Sequence, residues 1–229
     1  MNKKRYVKEI EQLFVEWKKE SMQDEKTFVA DGIINPDIFF EQDVRPLFLL
    51  KEAYAKDGIG WDLTQEHNNA YPDEKQKNTT WPNISRWTYG LFNTTQTSKP
   101  ELSNDEIFEG KRNKYLQKIA AINVRKSSGV SVSAMKALRQ YAESDKERLK
   151  KQIELTDPTV IICCYTLSLF KIIFDKKHNG FMKNKHYDYI ELNNHKVLVL
   201  DFYHPSCRKT KETLFEMFVN LYNTALNEE

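Results

Sequence analysis

In the stretch KVLVLDFYHPSCR, Lys196 to Arg208, four apolar residues, Val197 to Leu200, follow one another without a polar break. Their length and β-branched character predict a strand buried on both faces, as in a parallel sheet. The run ends at Asp201, Phe202 and Tyr203, the chain turns at His204-Pro205-Ser206, and Lys209 to Leu226 then reads as a helix. A strand that stops at a polar turn before a helix presents its carboxyl end to solvent, where open α/β sheets hold their ligands. Pro205, with its locked φ, fixes the turn. His204 is therefore either an inert surface residue or a group that donates a hydrogen bond or a proton to a substrate oxygen.

The same reading extends to the rest of the chain. Tyr6, Ile10, Leu13, Phe14 and Trp17 share one face of an opening amphipathic helix. Asp31 to Gln42, with Gly32, Asn35, Pro36 and Asp37, reads as a turn-rich connection. Arg45 to Leu50 is a proline-started buried strand running into Lys51-Glu52-Ala53-Tyr54. Lys51 and Glu52 are either a solvated pair or working groups at the mouth of a sheet. Ala55 to Thr80 lacks periodicity and reads as a functional loop. Trp81-Pro82 opens a helix with Ile84, Trp87 and Leu91 inward, and capping residues near Ser103 start another that runs to Tyr115.

Ile119 to Val124 is a short strand carrying one amide, Asn123, before a basic loop from Arg125 to Gly129. A buried asparagine must satisfy its donors and acceptor, either as structural glue or by reading the polar edge of a ligand. Arg125 and Lys126 suit phosphate. Ser131 to Thr156 is a charge-laced helix, Thr159 to Cys164 a fully apolar strand, and Leu167 to Asp175 a further helix. Tyr187 to Leu192 reads as an edge strand. Alternation of buried strands with helices predicts an α/β fold: a three-layer α/β/α sandwich around a mainly parallel sheet of about four strands.

Composition sets the outer limits. Hydrophobic residues make up 40% of the chain and charged ones 30%, enough for a core under a charged surface. Seven glycines in 229 residues leave little room for linkers, so one domain over residues 1–229 is expected, with helix 1–20 packed on it. A formal charge of +2 neither demands nor excludes nucleic acid, which depends on where the cations sit. The basic opening segment lacks an apolar core and does not read as a signal peptide, and no apolar run is long enough to cross a bilayer. Three cysteines without CxxC spacing fit a reducing compartment and argue against a zinc site or a cysteine-held iron–sulfur cluster. The expectation is a cytoplasmic monomer, with no membrane partner, metal or cofactor.

Four segments fall at the carboxyl ends of the expected strands: LFLLKEAY, AAINVRKSSG, VIICCYT and FYHPSCR. In that order they resemble the uracil-DNA glycosylase superfamily, over Arg45 to Arg208. The resemblance implies a DNA base N-glycosylase that hydrolyses the glycosidic bond of uracil or a related deaminated base flipped out of DNA. It implies catalytic roles for Glu52, in positioning or activating water, and for His204, in stabilising negative charge on the base. It implies that Asn123 reads the base beside Ala53, that Trp61 or Tyr54 stacks on it, and that Ser206 and Arg208 meet the DNA backbone. Arg125, Lys126, Lys209 and Lys211 are cations suited to phosphate. The chain departs from the family pattern where Lys51 stands for the usual glycine, Tyr54 for a proline, and Ala53 at the water-activating aspartate position of the best-known branch. Lys51 is also weighed as a Schiff-base nucleophile against a solvated or Glu52-paired lysine. These departures keep two other classes open: a nucleic-acid-binding relative without turnover, and an enzyme of nucleosides or nucleotides.

Overall fold

The computed structural model describes residues 2–20, 27–54, 60–68, 79–102, 112–129, 134–176, 180–183 and 185–228. Its elements run α1 (Lys3–Glu20), β1 (Gly32–Ile33), α2 (Pro36–Phe39), β2 (Pro46–Tyr54), α3 (Leu63–Asn68) and α4 (Thr80–Asn93). They continue with α5 (Arg112–Leu116), β3 (Ala120–Gly129), α6 (Met135–Ser144), α7 (Lys146–Thr156), β4 (Val160–Cys164) and α8 (Leu167–Ile173). β5 (Tyr187–Leu192), β6 (His195–Phe202) and α9 (Lys211–Asn227) complete the chain.

The strands form one sheet in the order β1-β3-β2-β4-β6-β5. β3, β2, β4 and β6 are parallel neighbours, whereas β1 on β3 and β5 on β6 are antiparallel. The fold is α/β as expected, but the sheet has six strands rather than about four and is mixed rather than mainly parallel. The difference lies at its two margins. Antiparallel edges need no crossover helix, so two short segments could pair onto a parallel centre without changing the helix-strand rhythm. One of them, Gly32–Ile33, lies inside the expected turn-rich connection. There the Asn35 side chain caps α2 by accepting from the Asp37 and Ile38 amides at 3.1 and 3.4 Å.

The parallel strands are buried on both faces because successive side chains point opposite ways. Leu47, Leu49, Ile122, Val124, Ile161, Val197 and Val199 join a core with α1, α6, α7 and α8. Phe48, Leu50, Ala121, Ile162, Leu198, Leu200 and Phe202 join another with α4, α5 and α9. The second core centres on Trp87, stacked on Phe218 at 5.5 Å between ring centres and edge-on to Phe202 at 5.0 Å. Gly90 permits the close approach of α4 to α9, since a Cβ there would lie 2.8 Å from Val219 Cγ1.

Two further expectations are revised. Arg125 to Gly129 is not a loop but the last half of β3. The helix over Ser131 to Thr156 is two helices parted at Asp145, a buried residue whose carbonyl accepts from the Leu149 amide at 2.9 Å. Among the described residues no helix is long and apolar enough to cross a membrane.

Between the β1 edge and the first core lies a buried polar knot. The Asp31 carboxylate accepts from the Asn123 backbone amide at 2.8 Å, from Asn123 Nδ2 at 3.1 Å and from Gln152 Nε2 at 2.9 Å. It also pairs with the Lys126 ammonium, and both side chains are wholly shielded from solvent. Burial pushes the Lys126 amine below its ordinary pKa, while Asp31 pulls it back up. The Lys126 Nζ also lies 5.2 Å from the Trp17 ring centre, so α1 closes over it. Removing one member of a buried, hydrogen-bonded pair strands the other charge, at a cost of about 3–5 kcal/mol. Asp31→Ala should therefore lower urea-unfolding stability by that amount. Lys3→Ala, which breaks an exposed pair with Asp37, should cost at most about 1 kcal/mol.

Candidate active site at the carboxyl edge of the sheet

The helices after β2 and β6 pack on the second core and those after β3 and β4 on the first. Connections that leave neighbouring strands toward opposite faces open crevices at the carboxyl edge. Lys51 and Glu52 come from β2, Asn123 and Arg125 from β3, Tyr165 follows β4 and His204 follows β6.

His204 is held by its own turn. The Ser206 backbone N–H donates to His204 Nδ1 at 3.2 Å, and the Ser206 hydroxyl lies 2.8 Å from the same nitrogen. An amide N–H can only donate, so Nδ1 is the acceptor and the neutral ring carries its proton on Nε2. Burial, helped by the nearby Lys51 charge, lowers the His204 pKa to about 4. No described residue takes the Nε2 position. The turn is anchored from behind, where Asn83 Nδ2 of α4 donates to the Pro205 carbonyl at 2.6 Å and Arg86 donates to Asn83 Oδ1 at 2.7 Å. The roles of Asn83 and Arg86 were not legible in the sequence, because both sit on a helix whose apolar spacing alone stood out.

Lys51 is half-buried, with Nζ 4.5 Å from the Tyr165 ring centre. Burial lowers its pKa, against the pull of Glu52. Glu52 does not bond Lys51. Its Oε2 accepts from Arg125 at 3.0 Å across the β2–β3 register, in which Glu52 and Arg125 are partners. Arg125 also donates to Ser127 Oγ at 2.8 Å and lies 5.1 Å from the Tyr141 ring centre.

Asn123 pairs with Leu50 one step deeper, and its amide is bonded to Asp31 in the buried knot. The amide and the imidazole share the carboxyl edge, on strands separated by β2 and β4. At ~4.8 Å per strand their axes stand about 14 Å apart. Sequence reasoning left Asn123 as either glue or reader; the glue contact exists, and its partner, Asp31, was missed. Asp31 stands before Gly32, whose φ of +142° places that residue where a side chain would be strained and would collide with Tyr6 Oη. The Asp-Gly pair read only as a turn.

The other expected residues are dispersed. Ala53 is buried in the second core, and Trp61 packs against it near the β1 edge, with its indole N–H buried and unpartnered among the described residues. Tyr54 pairs through its backbone with Gly129, and its side chain lies outside the described residues. Ser206 serves His204. Arg208 and Lys209 are exposed and Lys211 is half-buried beside Glu212. Lys126 is corrected: its ammonium is buried against Asp31 and is not presented to a phosphate. Among the described residues no group of three His, Cys, Asp or Glu side chains could hold a metal ion. A cleft of about 250 Å3 between α1, β1 and α3, lined by Tyr6, Ile10, Asp31 and Thr64, does not include His204.

Neither a scan against protein-family models nor a search of curated proteins finds a match to this chain.

The imidazole gives a direct check. Followed by NMR, the His204 ring should titrate near pH 4. Lys51→Met should raise that midpoint only part of the way to the ordinary ~6.5, since burial is the larger cause. Between those values the unfolded chain binds more protons than the folded one. The contribution of His204 to stability is therefore complete above about pH 6.5 and falls as pH drops toward 4.

Proposed function

We propose that this chain is a DNA base N-glycosylase of the uracil-DNA glycosylase type, built as an α/β/α sandwich, acting on uracil or a related deaminated base. The observation that carries this reading is the neutral His204 imidazole, its Nδ1 fixed by Ser206 and its Nε2–H free among the described residues, beside the Lys51 charge. Support also comes from the parallel order β3-β2-β4-β6, which sets the four motif-bearing strand ends side by side.

The chemistry follows from the bond. Heterolysis of an N-glycosidic bond leaves a cationic sugar and an anionic base. The His204 Nε2–H and the Lys51 ammonium stabilise the oxygen on which the negative charge collects, and being fixed beforehand they need no reorganisation. Glu52, held by Arg125, is the carboxylate that takes the proton from the water adding to the cationic sugar. With one Asn123 Nδ2–H committed to Asp31, the amide keeps its Oδ1 acceptor and its second N–H, a pair suited to the imide N–H and a carbonyl of uracil. The target base must leave the stack to meet these groups.

Incubation with uracil-containing single-stranded and duplex oligonucleotides should release free uracil. His204→Ala should slow release by a factor of about 10²–10³, the usual effect of losing one such donor. Asn123→Ala should also lose activity. Absence of base release from every deaminated single strand and duplex defeats the reading.

The Glu52–Arg125 and Asn123–Asp31 bonds favour a second reading, a nucleic-acid-binding relative in which both side chains have become structural. Salt-dependent DNA affinity without turnover, unchanged in His204→Ala, would select it.

A further inference from the structure

Two of the large apolar side chains exposed among the described residues, Tyr165 and Tyr203, stand at the carboxyl ends of the neighbouring parallel strands β4 and β6. Tyr165 is 61% exposed and Tyr203 37%. Tyr165 also has a φ of 59°, a left-handed backbone that a bulky residue adopts only where its surroundings impose it. The imposing contacts are visible: its N–H donates to the Phe202 carbonyl at 2.8 Å and to the Cys163 carbonyl at 2.9 Å. The conformation throws the ring out of the sheet instead of into either core. Each ring has a lysine beside it, Lys51 Nζ at 4.5 Å from the Tyr165 centre and Lys209 Nζ at 5.3 Å from that of Tyr203. Neither ammonium has an ion-pair partner among the described residues, and the exposed Arg208 adjoins Lys209.

We propose that this edge is a platform for an unpaired DNA strand, on which Tyr165 and Tyr203 stack successive bases while Lys209 and the adjoining Arg208 turn to the phosphates. The inference rests on reading the carboxyl edge as a nucleic-acid site, and it names the form of the substrate. Exposed aromatics interleaved with cations are the chemistry of single-strand binding, because every base offers a flat face and every nucleotide a charge. A duplex hides those faces in its stack. His204 directly follows Tyr203, so a base stacked on that ring lies next to the imidazole's turn.

The test is fluorescence anisotropy with a labelled oligothymidine, which contains no uracil, and with the same strand annealed to oligodeoxyadenosine. The single strand should bind more tightly than the duplex. Tyr165→Ala and Tyr203→Ala should each weaken single-strand binding about tenfold, and Tyr165→Phe, which keeps the flat face, should bind like the parent. Lys209→Met should reduce the slope of log affinity against log salt by about 0.7, the share of one phosphate on a single strand. Unchanged affinity in both alanine variants overturns the proposal, as does a duplex bound as tightly as the single strand. Uracil release with unchanged oligothymidine binding in the variants defeats the platform alone. Tyrosine-dependent binding without release from any substrate defeats the glycosylase reading and keeps the platform.

Discussion

The Asp31 carboxylate is the point at which three separate parts of the chain are locked together. It receives the backbone and side chain of Asn123 on β3, the Gln152 amide on α7 and the Lys126 ammonium. Trp17 of α1 lies over that ammonium. Taking a carboxylate and an ammonium out of water costs several kcal/mol for each ion, which is offset only when the geometry is tight and the remaining polar positions are filled. Here they are filled by groups from distant segments, so the β1 edge, the end of β3 and the α1–α7 layer are mutually fixed. The orientation of the Asn123 amide, a central element of the candidate site, is a consequence of that packing.

The rest of the edge works by the same logic of fixed polar groups. His204 is neutral because burial and the Lys51 charge disfavour a second proton, and its tautomer is set by the Ser206 amide. The turn that carries it is pinned by Asn83 from the opposite helical layer. Glu52 is turned away from Lys51 by the strand register, which makes Arg125 its partner. Lys51 is left facing Tyr165. The edge therefore combines a hydrogen-bond donor, a cation beside an aromatic ring and a second exposed ring at the ends of adjacent strands.

Much of this could be read from the chain order. The apolar runs 47–50, 120–122, 160–164 and 197–200 lie in strands buried on both faces, and the helices alternate with them. HPS at the end of the last run marked the turn that bears His204. The partner of each polar side chain was not legible. Lys126 follows Arg125 and looked like a second surface cation, yet the alternation of side chains along β3 carries it into the first core. Tyr165 read only as the residue after an apolar strand, with nothing to signal its left-handed backbone. The Asp-Gly at 31–32 read as a turn because a two-residue edge strand leaves no periodicity to detect.

Local pattern was thus enough for the α/β rhythm, the parallel centre and the strand ends where polar residues gather, because burial on both faces and turn chemistry act over a few neighbouring residues. Which carboxylate meets which cation, which amide stays free and which ring faces solvent depended on strand order and register. Those contacts join segments tens of residues apart, such as Asp31 with Gln152 and Asn83 with Pro205. Their energies arise only after water has been excluded by packing, so no short stretch of the chain carries them.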